Sequence, residues 1–408
     1  MARILIASFG LAAHNTRLMP WRTVLEVAQG LRLRGHNVLV VSVSDRSNPP
    51  PFVDGDRVVT LTRQGVGEMR RALDAALSTH PVDVVFLPIS WSGNTLMCQI
   101  LNGIGTIRIG YLPGSAFEFR HLVRVVGKMS FRSLLPYLAQ SLYPQRLFAR
   151  ALAELNLRGL ITNSDYSTRC LAASTGIPVM TIAPGRDPIE TFSPGGIEPA
   201  VLLSPAPYFL FMGPPLSIRG IYVLLDAYSR IADETDIPPL LCLFRSDAHL
   251  DMATLRARIE QRWTHDKIHF VWKSLPPQVL QGHIQMAAAV IMPFLIVPSE
   301  IPLAVYEAAG LGKTVITTGP HGTADFVSSF GECVYPGDAD GLAAAMRKVA
   351  QRIASREDSD NAHAHAAFRA LDDWQTVADR WGDLAEQTIT TNTFTRTAGE
   401  TTTKIASS

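Results

Sequence analysis

Two stretches of the sequence set charged side chains where a phosphate or a sugar could be gripped. The first is Tyr208-Phe209-Leu210-Phe211-Met212-Gly213-Pro214-Pro215-Leu216-Ser217-Ile218-Arg219-Gly220. An apolar run ends at Gly213 in a Gly/Pro turn, and Arg219 stands just before a helical pattern that starts at Ile221. A guanidinium at the mouth of a sheet, near a helix start, can neutralise a phosphate. By itself such an arginine reads equally as a surface charge or a loop clamp. The second stretch is Ser299-Glu300-Ile301-Pro302-Leu303-Ala304-Val305-Tyr306-Glu307-Ala308-Ala309-Gly310. Pro302 suits the first helical position, so Glu300 precedes a helix and Glu307 lies more than one turn inside it. Two carboxylates near a positive helix end could hold hydroxyls of a polyol or ribose, and free helix N–H groups could take a diphosphate. The plainer alternative makes Glu300 a helix-start acid and Glu307 a solvated charge. The small and apolar neighbours Leu303, Ala304, Ala308 and Ala309 imply close packing around Glu307, where a carboxylate needs a partner.

A third stretch, Ser8-Phe9-Gly10-Leu11-Ala12-Ala13-His14-Asn15-Thr16, is not G-x-G-x-x-G, so it carries no dinucleotide fingerprint. Its small residues suit a loop facing a cleft, with Gly10 at the turn and His14 as a polar probe; a plain connection fits as well. A fourth feature is basic. Arg120, Arg124, Lys128 and Arg132 recur every four residues, which predicts one basic stripe along a helix beside an apolar stripe of Leu122, Val125, Val126 and Met129. Three readings fit it: a core-docked helix with a solvated face, a helix lying on an anionic membrane surface, or a basic wall that attracts anionic acceptors.

The elements that must position these groups alternate almost throughout. Strand-like runs occur at Ile4–Ser8, Val38–Val43, Val82–Leu87, Thr106–Tyr111, Gly159–Asn163 and Val179–Ile182. A second series comprises Tyr208–Met212, Leu240–Phe244, His269–Trp272, Val290–Pro293, Val315–Thr318 and Cys333–Tyr335. Helical patterns between them indicate βαβ units and two parallel sheets of about six strands each. In such sheets ligands bind beyond the carboxyl ends of the strands. Six prolines between Pro184 and Pro207 mark a linker. The expected division is an N-terminal domain over 1–190, a second over 200–370, a returning helix over 371–388 and a disordered Thr-rich tail over 389–408.

At 408 residues the chain is long enough for two cores. Its 37 basic and 36 acidic residues nearly cancel, yet the charge is uneven: up to Cys170 the net is +9, and beyond it −8. No nucleic-acid-binding module is recognisable. The 4 cysteines form no C-x-x-C pair, which argues against a disulfide framework or a structural zinc and fits a cytoplasmic protein. The longest apolar stretch, Met286–Pro298, is too short to span a bilayer. The opening run imitates a signal peptide but reads better as a buried first strand, since a turn and an amphipathic helix follow at once.

In this order the motifs resemble the large group 1 family of retaining GT-B glycosyltransferases. The resemblance runs through Thr162-Asn163-Ser164-Asp165, Ala183-Pro184-Gly185-Arg186, the Gly213–Gly220 turn, and Glu300 to Glu307-Ala308-Ala309-Gly310-Leu311-Gly312-Lys313. It continues with Gly322-Thr323-Ala324-Asp325, Val334-Tyr335-Pro336-Gly337-Asp338 and Asp373-Trp374-Gln375. It covers essentially 160–390, with a fainter trace at Leu33-Arg34-Gly35-His36-Asn37-Val38.

The resemblance implies a GT-B fold, two Rossmann-like domains facing across a cleft, and a last helix that crosses back to the first. It implies transfer of a hexose-type sugar from a nucleotide-diphosphate sugar with retention of configuration, without a metal or other cofactor, to an acceptor of unknown identity. The family's donor site maps onto Gly213, Arg219, Ser299, Glu300, Pro302, Leu303 and Glu307, with Arg219 and Glu300 as its catalytic members and Glu307 at the ribose. Gly10 and His14 fall on the acceptor side. Three departures stand out. Pro214 occupies the family's first basic position. Six residues, not seven, separate Glu300 from Glu307, so either Ser299 holds the first-glutamate position or the loop is one residue shorter and Glu300 serves; the sequence favours Glu300. The family's N-terminal histidine has no match, since Tyr111-Leu112-Pro113-Gly114 fills that loop. A GT-B nucleotide-sugar epimerase or hydrolase and a non-catalytic binding protein are the alternatives these departures allow.

Overall fold

The computed structural model describes residues 1–12, 15–44, 58–62, 66–89, 99–100, 106–116, 119–188, 207–245, 250–297, 299–355 and 361–391. Two units make up the chain. The first contains Met1–Gly114, Tyr143–Pro184 and Trp374–Ser408; the second contains Ser115–Leu142 and Gly185–Asp373.

The first unit is built on β1 (Arg3–Phe9), β2 (Asn37–Ser44), β3 (Val58–Thr62), β4 (Val84–Pro88), β5 (Ile107–Tyr111), β6 (Leu157–Thr162) and β7 (Val179–Thr181). All pair in parallel, in the order β3-β2-β1-β4-β5-β6-β7. Its strands are continuous apolar runs because helices cover both faces, which is the demand a buried parallel sheet makes. β3, the edge strand Val-Val-Thr-Leu-Thr, is absent from the sequence expectation and is added here. The helix Trp21–Leu33 buries Val24, Val27, Ala28 and Leu31. Against it packs the helix Trp374–Thr391, burying Val377, Ala378, Trp381, Leu384 and Ala385. The Trp381 ring lies 4.6 Å from Phe86 and 5.5 Å from Tyr111. This helix continues through Thr391, three residues into the stretch expected as a tail; residues 392–408 lie outside the described residues.

The second unit carries β8 (Tyr208–Gly213), β9 (Leu240–Phe244), β10 (Ile268–Val271), β11 (Ala287–Met292), β12 (Thr314–Thr318) and β13 (Glu332–Val334). They too run parallel, in the order β10-β9-β8-β11-β12-β13. That order reverses direction between β8 and β11, so the turns leaving those strands flank the crevice where doubly wound sheets take ligands.

Two expectations for residues 115–142 are corrected. The segment belongs to the second unit rather than the N-terminal one: Leu122, Val125, Met129 and Leu134 are buried in one apolar cluster with Phe211, Ile221, Leu224 and Leu295. It is also not one continuous helix. Short helices Phe119–Val123 and Phe131–Leu142 are separated by a turn in which Gly127 has φ +79°, a left-handed conformation that interrupts a helix. Arg124, Lys128 and Arg132 stay exposed; the Arg120 side chain lies outside the described residues. No helix among the described residues is long and apolar enough to cross a membrane.

Candidate active site

β8 ends in a turn whose geometry depends on two glycines. Gly213 has φ +131°, and a Cβ there would lie 2.9 Å from Nη1 of Arg219, so the bare backbone makes room for the guanidinium. Gly220 has φ +75°, and a Cβ there would fall 1.7 Å from the carbonyl oxygen of Pro293. The turn can therefore press onto the loop leaving β11. Two hydrogen bonds secure that contact: Leu295 N–H donates to Ile218 O at 2.9 Å, and Ile296 N–H donates to the same oxygen at 3.3 Å. Sequence order alone separates these two loops by some eighty residues; the β8–β11 pairing makes them neighbours.

Arg219 is half-buried, with Cζ 5.7 Å from the centroid of the buried Phe294 ring. Among the described residues no carboxylate pairs with it. Burial, and secondarily the positive charge of Arg245, push its pKa down to about 10. It stays protonated at neutral pH, a cation in a partly dry site without a counter-charge. Such a group is primed for an anion from outside.

Beyond β11, Pro302 takes the cap position rather than the first helical one, and the helix spans Leu303–Gly310. Ser299, Pro302, Leu303 and Glu307 each keep part of their surface exposed, so all four are open to a ligand. Glu300 differs. It is 0% exposed and held at φ +49°. Its Oε1 accepts the N–H of Gly322 at 3.1 Å, its carbonyl accepts the Thr323 hydroxyl at 2.5 Å, and its N–H donates to Ser115 Oγ at 2.9 Å. Ser115 in turn donates to Val297 O at 2.6 Å. In this arrangement Glu300 anchors the loop and start of the helix Gly322–Val327, with no surface to offer a sugar. Of the two positions that the spacing leaves for the first glutamate, Glu300 is buried and Ser299 is partly exposed. Spacing could not decide this, because one residue of loop slack exchanges the two.

Several residues near the site carry no signal in the sequence. Arg245 follows β9, and its N–H donates to Gly213 O at 3.2 Å, which places it beside the Arg219 turn. His321 caps the helix Gly322–Val327; both its ring nitrogens are buried without a hydrogen-bond partner, and burial, with the nearby His121, lowers its pKa to about 3. A lone arginine or histidine after a strand is too common to flag. Only the strand pairing shows that these two lie at the same end of the sheet.

In the first unit, Gly10 closes β1 with φ +66°, its N–H donating to Val43 O at 2.8 Å and its carbonyl accepting from Asn15 Nδ2 at 2.7 Å. That turn stands at the carboxyl end of β1, between β2 and β4, the corresponding switch point of its own sheet. His14 lies outside the described residues. Among the described residues no group of three or more His, Cys, Asp or Glu side chains is placed to hold a metal ion.

Residues 206–352 match the family model described as Glycosyl transferases group 1. No curated protein matches the chain. Among solved structures, the chain is similar to sucrose-phosphate synthase from Thermosynechococcus elongatus, at 17% identity and TM-score 0.72, over 95% of this chain and 100% of that one. It is similar to Anabaena HepE, solved in complex with UDP and glucose, at 15% identity and TM-score 0.64, over 94% and 99%. It is also similar to WaaG, a glycosyltransferase involved in lipopolysaccharide biosynthesis, at 14% identity and TM-score 0.60, over 94% and 99%. At such identities the likeness to these structures is one of fold, and both sheets share in it.

Proposed function

We propose that this chain, whose residues 206–352 match the group 1 glycosyltransferase model, is a GT-B glycosyltransferase that transfers a hexose from a nucleotide-diphosphate sugar with retention of configuration and without a metal. The observation that carries the reading is Arg219, a half-buried guanidinium without a carboxylate partner among the described residues, held at the topological switch point of the second sheet. Charge grows on the leaving diphosphate as the glycosidic bond breaks. A fixed cation in a partly desolvated site stabilises that charge far better than water-screened groups would. Ser299 and the start of the helix Leu303–Gly310 contact the donor sugar, and Glu307 faces the ribose. Glu300 supports them by holding the loop. The bound UDP of the Anabaena structure supports a nucleotide donor. Same-face attack by the acceptor hydroxyl, its proton passing to the departing phosphate, accounts for retention without an enzymic nucleophile.

The experiment is a panel of thermal shifts against UDP, GDP, ADP and their sugars, followed by product analysis with the donor that binds. A ligand that prefers the folded state raises the midpoint, and the anomeric proton coupling of the product reports retention. A protein that no nucleotide stabilises would sink the donor-site reading.

Membrane attachment has its own supporting observation. Val123, Val126, Phe131, Leu135 and Leu142 are 50–69% exposed on the segment that also presents Arg124, Lys128 and Arg132. Exposed apolar side chains among cations suit a peripheral contact with an anionic bilayer, and with it an acceptor carried by lipid. Flotation with anionic against zwitterionic vesicles tests this. Wild type should float only with the anionic ones, and a variant with Arg124, Lys128 and Arg132 all changed to Glu should stay behind; equal flotation of the two proteins would refute it.

A further inference from the structure

Arg219 is not the only guanidinium at the end of β8. β8 and β9 pair in parallel with Gly213 opposite Phe244, so Arg245 is the first residue past the register at the carboxyl end of β9. Its N–H is bonded to Gly213 O at 3.2 Å. The Arg219 guanidinium lies over the same glycine, 2.9 Å from the point a Cβ would occupy. The main chain of Arg245 and the guanidinium of Arg219 therefore both meet Gly213, and the charge of Arg245 is felt at Arg219. Among the described residues neither has a carboxylate partner. Like charges brought together in a partly buried site repel one another, and an anion between them removes that repulsion and gains attraction to both.

The chemistry required there is specific. A nucleoside diphosphate leaving group carries more than one negative charge, which a single guanidinium does not balance. Pro214, in the turn itself, contributes neither a charge nor an N–H. Arg245 reaches the same place from the neighbouring strand. Resting on the donor-site reading above, we propose that Arg245 is the second cation of the diphosphate subsite, replacing from β9 the charge that the Pro214 turn lacks. The site then consists of one guanidinium from the turn after β8 and one from the residue that follows β9, with the diphosphate lying over Gly213.

The test compares wild type, Arg219→Ala, Arg245→Ala and Arg245→Lys by calorimetric titration with UDP, GDP and ADP and with the corresponding nucleosides. For the nucleotide that wild type prefers, Arg245→Ala should weaken the diphosphate at least tenfold and leave the nucleoside unchanged. Arg245→Lys should recover most of the loss, because it restores the charge. The advantage of diphosphate over nucleoside should also fall less steeply with salt in Arg245→Ala than in wild type. Arg245→Ala binding the diphosphate as tightly as wild type, while Arg219→Ala does not, would overturn this inference and leave the donor site standing. Wild type binding no diphosphate would overturn both. If Arg245→Ala does not fold, Arg245→Gln carries the same comparison.

Discussion

Gly220→Ala is the sharpest test of how the candidate site is built. The substitution adds one methyl group at φ +75°, where its position would be 1.7 Å from Pro293 O and 2.7 Å from Pro293 C. A left-handed backbone costs an L-residue roughly 1–2 kcal/mol. The overlap is with main chain, so no rotamer can relieve it and the turn must leave the β11 loop. That movement breaks the bonds from Leu295 and Ile296 to Ile218 O, each worth about 1 kcal/mol. Together with the backbone cost they predict a loss of about 3–4 kcal/mol. Gly35→Ala is the control, since Gly35 has φ +92° and no atom within 4 Å of an added Cβ; it should lose only the backbone part, about 1–2 kcal/mol. Urea unfolding followed by circular dichroism measures both, as a shift in midpoint at constant slope. Gly220→Ala should also abolish the thermal response to nucleotide, because Arg219 moves with the turn. Equal losses in the two variants, or a Gly220→Ala protein that still answers nucleotide normally, would refute the account of the turn.

Other outcomes follow from the same geometry. Arg219→Met should leave the ligand-free protein as stable as wild type or about 1 kcal/mol more stable, since it removes an uncompensated half-buried charge; in titrations it should weaken nucleotide binding by roughly ten- to a hundredfold, the loss of charge-assisted bonds worth about 1.5–3 kcal/mol. Glu300→Ala should cost about 2–3 kcal/mol in urea melts by stranding the Gly322 N–H, whereas Ser299→Ala should change stability by less than about 0.5 kcal/mol and instead raise KM for the donor; the opposite pattern would return the sugar contact to Glu300. For His321 burial holds the folded pKa at about 3, below the ordinary histidine value of 6.5. The unfolded chain therefore takes up a proton between those values and the folded chain does not, so stability is full above about pH 6.5 and declines as pH falls. The decline should be roughly 1.5 kcal/mol between pH 6.5 and 5, and thermal melts of His321→Asn should lack that part of the slope.

The sequence alone carried the class of architecture and the ordered strands, turns and helix starts of the second unit. Strand periodicity, turn glycines and helix starts are local properties, and a parallel sheet covered on both faces writes them as repeated apolar runs. Arg219 and Glu307 could be named from the sequence because each sits at a fixed offset from a local turn or helix start.

The tertiary structure decided what offsets cannot. Glu300 and Ser299 are adjacent in the chain, and only burial shows that one anchors the loop while the other keeps an open face. The basic run at 120–132 has the spacing of a single amphipathic helix, yet Gly127 interrupts it, and Leu122, Val125 and Met129 join the core of the second unit while Val123, Val126 and Phe131 stay exposed. Arg245 and Arg219 are brought together because β8 and β9 pair in register at Gly213. Local propensity records what each segment can become. Which side chains lose water, and which charges meet without a partner, depends on strands and loops distant in sequence, and that pairing exists only in the folded chain.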